Sequence, residues 1–506
     1  MGRKILFVTT DQQRYDSLGC NGGAVARTPV LDRLAAEGVN YRRAMNQNVV
    51  CMPARSTMLT GQYVRTHGVF ANGVPLPAEA PSIAEYLHEH GYRTALLGKA
   101  HFEPAMDLEG RWPENRLARD DSTGPHRGFE HLELAMHGPI PLWHYGKWLM
   151  EQPGHHERGF YQLFKGGKLN GEPGGDTGAP QVAHNPVPRE LYHTDWTAER
   201  AVSWLDTLAD DGDWFCWVSF PDPHHPWDPP ASEMHRVDWR DLDLPEGHPG
   251  GVDACRAVLE GKPRHWLAYY EGWHSNLEGG PPDFVPATMT DDQVREVNAL
   301  THIENELIDE AVGRILACIE RRGWERDTDV VFTTDHGELQ GDFGLLFKGP
   351  YHCDALMRLP MIWRPAPSAG VEPAVIEEPV GQLDLAPTFA AIAGLPVPDW
   401  AQGAPLPTAP GSGRTQVLTE WDSQFSSEDL HLRSLYCDGW LVTAYEPGGG
   451  YDGTEGELYD LGDDPHQWHN LWDDPGHRSQ RDELVTQLVD SLPPAHQPRL
   501  EVEAPV

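Results

Sequence analysis

The chain has 506 residues and a formal net charge of −38, with 39% apolar and 9% aromatic residues. That length can bury a substantial core and predicts one large and one smaller domain, and the composition is globular, not disordered. So negative a surface excludes nucleic acid and anionic membrane as natural partners, and an anionic ligand has to be drawn in by a local concentration of cations.

The seven cysteines (20, 51, 216, 255, 318, 353 and 437) are odd in number and show no paired spacing, so they read as reduced thiols. The opening Met1-Gly2-Arg3-Lys4-Ile5-Leu6-Phe7-Val8 has an apolar run too short for a secretory leader. No run is long enough to span a bilayer. A cytoplasmic location without membrane contact is therefore expected.

Residues 4–10 read as a buried strand of a parallel sheet ending in Asp11-Gln12. Ligands of open α/β sheets gather beyond the carboxyl ends of strands. Asp11 and Gln12 are thus candidate oxygen ligands for a hard cation; an Asp capping the following loop is the alternative. Residues 28–38 read as a crossover helix with Pro at its start and Gly at its end, and 39–44 as the next strand. Then comes Asn48-Val49-Val50-Cys51-Met52-Pro53-Ala54-Arg55-Ser56-Thr57-Met58-Leu59-Thr60-Gly61. Pro53 suits the first turn of a helix, which puts Cys51 at the helix entrance, where unpaired N–H groups and the helix dipole favour an anion. Arg55 adds a permanent cation, so a thiol here would be reactive. An isolated Cys is more often a small buried hydrophobe. Cys51-x-Pro53-x-Arg55 followed by Ser-Thr-Met-Leu-Thr-Gly, however, closely resembles the signature of type I, formylglycine-dependent sulfatases of the alkaline phosphatase superfamily. The resemblance implies that a formylglycine-generating enzyme oxidises Cys51 and that the aldehyde hydrate is the nucleophile.

Residues 61–68 continue the pattern of that family, and His67 and Asn72 fit either structural or site-facing roles. Residues 82–90 read as a helix and 92–97 as a strand ending in Gly98-Lys99-Ala100-His101. Lys99 and His101 can face one pocket. By themselves they read as solvated surface; the resemblance assigns them to sulfate oxygens and the nucleophile. Residues 103–190, rich in Gly, Pro, His and Trp, read as an insertion over the active-site mouth. A helix at 194–208 and a strand at 214–220 lead to Pro221-Asp222-Pro223-His224-His225-Pro226. A strand-end His-x-Pro resembles the family segment whose His approaches the leaving oxygen. His224 fits, with His225 as the alternative; a structural His in a Pro-rich turn is the other reading.

Residues 228–289 read as a second insertion. Thr290 with Gln293 forms a capping box that opens a long amphipathic helix over 291–321. The strand 328–334 delivers Asp335-His336-Gly337-Glu338, where Asp and His can ligate a metal and Gly lets the backbone turn close to it. Lys348 matches the family's second sulfate-binding Lys. Residues 358–363 read as a further sheet strand and 384–394 as a helix. Residues 395–414 read as a linker, followed by antiparallel strands at 416–420, 432–436 and 440–444. Residues 457–465 match the family's C-terminal signature; 482–492 read as a closing helix and the tail after Pro493 as loose.

The expected fold is α/β: an alkaline-phosphatase-like α/β/α sandwich over 1–400 with a smaller C-terminal α+β subdomain over 415–506. By resemblance, Asp11, Gln12, Asp335, His336 and the modified Cys51 hold one divalent cation. Oxygen-rich ligands suit Ca²⁺ first, with Mg²⁺ or Mn²⁺ as alternatives. Lys99 and Lys348 would neutralise the sulfate oxygens, Arg55 would favour the ionised nucleophile, and His224 would protonate the leaving group. His101 would deprotonate the second hydroxyl of the hydrate. The expected activity is hydrolysis of a small-molecule or saccharide sulfate ester. Two features pull apart. The family commonly carries Asp-Asp where this chain has Asp11-Gln12, as phosphonate monoester hydrolases do; that branch lacks the Lys99/His101 pair. A phosphonate monoester or phosphodiester hydrolase is the second reading, and a catalytically silent binding protein the third.

Overall fold

The computed structural model describes residues 3–504 except 106, 108, 166, 167, 275–277, 279 and 424–428. Met1 and Gly2 of the opening segment, and those positions within 103–190 and 228–289, lie outside the described residues.

Eight strands, in chain order, build the central sheet: β1 (Lys4–Thr10), β2 (Val39–Tyr41), β3 (Arg93–Gly98), β4 (His131–Leu134), β5 (Trp214–Ser219), β6 (Thr328–Thr334), β7 (Met361–Arg364) and β8 (Ala374–Ile376). Their order across the sheet is β8-β2-β7-β6-β1-β5-β3-β4. From β4 to β6 neighbours are parallel; β7 runs antiparallel to both β6 and β2. Every residue of β1 is buried, which explains its unbroken apolar run. Its side chains alternate between two cores. Ile5 and Phe7 pack with Met52, Met58 and Leu59 of the helix Cys51–Thr60 and with Phe389. Leu6 and Val8 pack with Leu31 and Leu34 of Pro29–Glu37, Ala201 and Leu205 of His193–Asp206, and Ile308 and Val312 of Asp291–Arg321. The helix–sheet–helix layering is therefore the two-fold side-chain period of the strand read out in space.

A second sheet of four antiparallel strands, β9 (Gln416–Asp422), β10 (His431–Cys437), β11 (Trp440–Tyr445) and β12 (Gly456–Asp460), packs Leu435, Val442 and Leu458 on Leu484 and Leu488 of the helix Arg478–Ser491. The predicted capping box is formed: Thr290 accepts from the Gln293 amide and Gln293 Oε1 from the Thr290 amide.

Four expectations need correction. The segment 103–190 is not all insertion, because its four residues His131–Leu134 extend the central sheet at the edge; a strand that short carries too few alternations to be read. The strand expected at 39–44 is two pieces, since the chain leaves the sheet at Arg42 and Arg43 and Ala44–Met45 joins a separate three-stranded sheet. The strand expected at 358–363 divides likewise, only Met361–Arg364 entering the central sheet. The tail after Pro493 is held down. The His496 amide donates to Arg65 O (2.6 Å) and the Glu503 amide to Gly73 O (2.8 Å), while Leu500 and Val502 rest on the first core.

The carboxyl ends of four adjacent strands meet one side chain. Arg55 Nε donates to Asp335 Oδ2 beyond β6 (2.9 Å) and Nη2 to Asp11 Oδ2 beyond β1 (3.3 Å). Its Nη1 donates to Ser219 Oγ at the end of β5 and to Lys99 O beyond β3, both at 2.8 Å. Arg55, Asp11 and Asp335 are all fully buried. Removing one partner of such a set strands the opposite charges in a low-dielectric interior. Arg55→Met should therefore cost about 3–5 kcal/mol, read as a lowered midpoint in urea denaturation; a loss below about 1 kcal/mol would mean that the ladders alone hold these strand ends.

Candidate active site

Cys51 opens a helix in which all ten residues are buried. Its entrance is capped from outside: Asn72 Oδ1 accepts the Met52 amide (2.9 Å). Cys51 Sγ stands 3.2 Å from His336 Nε2, 3.5 Å from Lys348 Nζ and 3.7 Å from Asp11 Oδ1. Burial and Asp11 push the thiol up, but Lys348, Lys99 and His336 outweigh them, and its pKa falls below the ordinary value. The reactive-thiol reading of the sequence thus has a physical basis, with Lys348, Lys99 and His336 as the main cations and an interaction with Arg55 besides. Arg55 is spent on the strand ends below and does not line the pocket.

Asp11 and Gln12 leave β1 together, Gln12 in the left-handed region (φ 66°). Lys99 donates to Asp11 Oδ2, and burial of Asp11 is outweighed by Lys99 and Arg55, which hold its carboxyl far below the usual range. The Gln12 amide donates to Asp335 Oδ1 (3.0 Å). Its side chain bridges Glu338, to which Nε2 donates, and Lys348, from which Oε1 accepts (2.6 Å). Gly337 beside them is obligatory, as a Cβ there would lie 1.8 Å from Ala355 O.

Asp11, Cys51, Asp335 and His336 each present a donor atom within 4.8 Å of the others, all buried. His336 Nδ1 donates to Gly337 O (2.9 Å), which directs Nε2 toward the cluster, where its lone pair becomes available once the ring gives up its proton on the approach of a cation. Burial pulls this imidazole down, yet Asp335 and Cys51 raise it past the ordinary value, so the spot favours positive charge. The donors fit a divalent cation with Asp11 and Asp335 as oxygen ligands. Gln12 Oε1 is turned to Lys348 here, so it stands at the edge of the set.

Above Cys51 lies a cavity of about 80 Å³. Its polar wall includes Lys99, His101, His224, His225, Lys348 and Glu278; Ala105, Met136, Ile140, Leu163 and Leu169 form the apolar part. The sequence brought Lys99, His101, His224 and Lys348 to this place, and the fold assembles them. It missed His137, whose Nε2 accepts from Lys99 Nζ (2.9 Å) and whose ring stacks on His224 at 3.7 Å between centroids. His224 Nε2 in turn faces Lys348 Nζ (2.8 Å), while its Nδ1 donates to His225 O. Each lysine thus meets one imidazole of a stacked pair. Burial lowers all of His101, His137, His224 and His225, with Lys99 adding to the effect at His101 and His137. These rings are neutral at pH 7. His101 has neither ring nitrogen bonded, and His225 leaves Nε2 unbonded. The sequence also missed Glu278, which accepts from Asn72 Nδ2 (3.0 Å) and bridges to Lys348 through the backbone. Asn72 is therefore a wall of the site. His67 is structural, bonded to Thr57 Oγ1 (3.0 Å) and the Val69 amide (3.1 Å).

Comparison with known proteins gives the family and the fold. The "Sulfatase" family description matches residues 3–395. The chain is 26% identical to an uncharacterized sulfatase, YidJ, of Escherichia coli (strain K12), over 96% of this chain and 86% of that protein. It is 25% identical to the multifunctional alkaline phosphatase superfamily protein PehA of Trinickia caryophylli, over 94% and 92%. The solved phosphonate monoester hydrolase of Agrobacterium radiobacter superposes with a TM-score of 0.78 at 23% identity, covering 96% of this chain and 95% of that one. The α/β sandwich with its small C-terminal sheet is thus an alkaline-phosphatase-like fold, and the chain belongs to the sulfatase family of hydrolases, within the alkaline phosphatase superfamily.

Proposed function

We propose that the chain hydrolyses an organic sulfate ester and releases sulfate, with Cys51 as the site of the nucleophile. The observation that carries this reading is the pair of ammonium groups: Lys99 Nζ and Lys348 Nζ both line the cavity, Lys348 only 3.5 Å from Cys51 Sγ. Sulfur in a sulfate ester is shielded by negative oxygens, so a catalyst has to neutralise them before an anionic nucleophile can approach. Two lysines beside the nucleophile do that, and the stacked His137 and His224 restrain where they point.

Conversion of Cys51 to formylglycine by a formylglycine-generating enzyme would supply a hydrated aldehyde, one oxygen to attack sulfur and a second hydroxyl to expel sulfate without water attack. One divalent cation, Ca²⁺ first, with Mg²⁺ or Mn²⁺ as alternatives, would be held by Asp11, Gln12, Asp335, His336 and the modified residue 51, and would supply charge neutralisation at the nucleophile and the transferring group. The chain's own groups do the rest. Lys99 and Lys348 bind the sulfate oxygens. His224 Nε2, which accepts from the Lys348 ammonium, takes that proton from Lys348 Nζ and passes it to the leaving oxygen, leaving Lys348 as the neutral amine. His101, neutral with both ring nitrogens unbonded, takes the proton from the second hydroxyl.

A second reading, phosphonate monoester or phosphodiester hydrolysis, is favoured by Gln12 in place of a second Asp and by the likeness to the phosphonate monoester hydrolase. The same protein decides between them. Made alongside a formylglycine-generating enzyme, its Cys51 peptide should have the mass of the aldehyde or its hydrate; an intact thiol throughout would remove this nucleophile. In a substrate panel, kcat/KM for aryl sulfate should exceed that for phosphonate and phosphodiester, and the reverse order would favour the second reading. Lys99→Ala should lower kcat/KM for sulfate by about 10²–10³, a larger loss than its effect on stability; unchanged turnover would take Lys99 out of the mechanism.

A further inference from the structure

Beyond the Cys51 cluster, a second group of ligand-type side chains lies in the segment that follows β3. Glu103 and Glu114 are buried, and the side chain of His126 is 8% exposed. Glu103 comes from the loop just after His101, Glu114 from the first turn of the short helix Pro113–Arg119, and His126 from the turn before β4. One donor atom from each lies within 4.8 Å of the other two.

The local hydrogen bonds leave specific atoms over. Glu103 Oε2 accepts the Glu114 amide (2.9 Å) and Oε1 accepts from Arg127 Nη2 (3.1 Å). Glu114 Oε1 accepts the Phe102 amide (3.0 Å). Glu114 Oε2 has no partner, nor has His126 Nε2. That nitrogen faces both carboxylates, 3.9 Å from Glu103 Oε1 and 3.8 Å from Glu114 Oε1. Those separations are too long for hydrogen bonds. They are shorter than two metal–ligand bonds of about 2.0–2.2 Å placed end to end, so one ion between the nitrogen and either oxygen reaches both.

We propose that Glu103, Glu114 and His126 form a second divalent-metal site, structural in role and suited to Zn²⁺. The imidazole with two carboxylates favours a borderline transition ion over Ca²⁺, which prefers an all-oxygen shell. The side chains are shielded from solvent, and an ion held by all three would tie the loop that carries Lys99 and His101 to the helix and turn of 113–126. The charges are consistent with it: two buried carboxylates face the guanidinium of Arg127, which balances only one of them. A proton shared by the two acids is the competing arrangement. It would balance charge but leave His126 Nε2 unbonded.

Glu114→Gln separates the two, because it keeps the shape, removes the ligand charge and mimics the protonated acid. Chelator-treated wild type, Glu114→Gln and His126→Asn would be titrated with Zn²⁺, uptake measured by equilibrium dialysis and Tm by calorimetry. Wild type should take up one equivalent more than either variant and show the larger Zn²⁺-dependent rise in Tm. The Cys51 cluster contributes equally to all three. Equal uptake with an equal rise in Tm would overturn the site. So would a Glu114→Gln protein more stable than wild type in the presence of Zn²⁺, the result a shared proton requires. If one variant does not fold, the other carries the same comparison.

Discussion

One guanidinium sets the geometry on which the site depends. Strand ends fray unless something beyond the ladder holds them, and here the ends of β6, β1, β5 and β3 are all joined by Arg55. Only a planar fork with five donors can satisfy two carboxylates, a hydroxyl and a carbonyl from one point; a lysine offers a single centre. Asp11 and Asp335 would repel each other if buried alone. With Arg55 between them they stand in one cluster with Cys51 and His336, and that cluster exists because the repulsion has been offset from below.

Above this layer the electrostatics reverse those of the molecule. The chain carries −38 overall, which repels an anion at long range, yet the cavity gathers two ammonium groups around a lowered thiol. Burial of the histidines is what keeps this from becoming excessive. Four more cations in that volume would repel the lysines, and their neutrality leaves imidazole nitrogens free to accept from Lys99 and Lys348. The remaining walls are Glu278 and the apolar side chains of Ala105, Met136, Ile140, Leu163 and Leu169.

Much of this was legible in the sequence, for a physical reason. Strands buried on both faces are continuous apolar runs, and they terminate abruptly where polar groups are needed, so Asp11, Lys99 and Asp335 announce themselves as the first polar residues after β1, β3 and β6. Cys51, Pro53 and Arg55 lie within one helical turn, and their spacing is local. His137, Glu278 and the true use of Asn72 were hidden because they come from segments with no periodicity, whose direction only tertiary packing fixes. β4 was hidden for the same reason, as four residues of edge strand give no pattern to count. The division of 39–44 and 358–363 between two sheets depends on pairing across more than 300 residues (Arg358 opposite Met45, Ile362 opposite Asn40), which no local signal records. The tail looked loose because its composition is polar and Pro-rich, yet its anchors are backbone groups at Arg65 and Gly73 that no side-chain pattern reports.

The burial of the Cys51–Thr60 helix also sets a clock. The segment leading into Cys51 is closed from outside by β9: Thr419 Oγ1 donates to Asn46 O, the Glu420 amide to Gln47 O, and Asn48 Nδ2 to Glu420 O across a separation of 372 residues. At about 5–20 residues per second of synthesis, roughly 20–70 s pass between the emergence of Cys51 and that of the strand that shuts it in. During that interval residue 51 is reachable by another protein; afterwards, at 1% exposure, it is not. Chemistry that another protein performs on this residue is therefore expected on the nascent chain, before β9 pairs with the segment at 46–48.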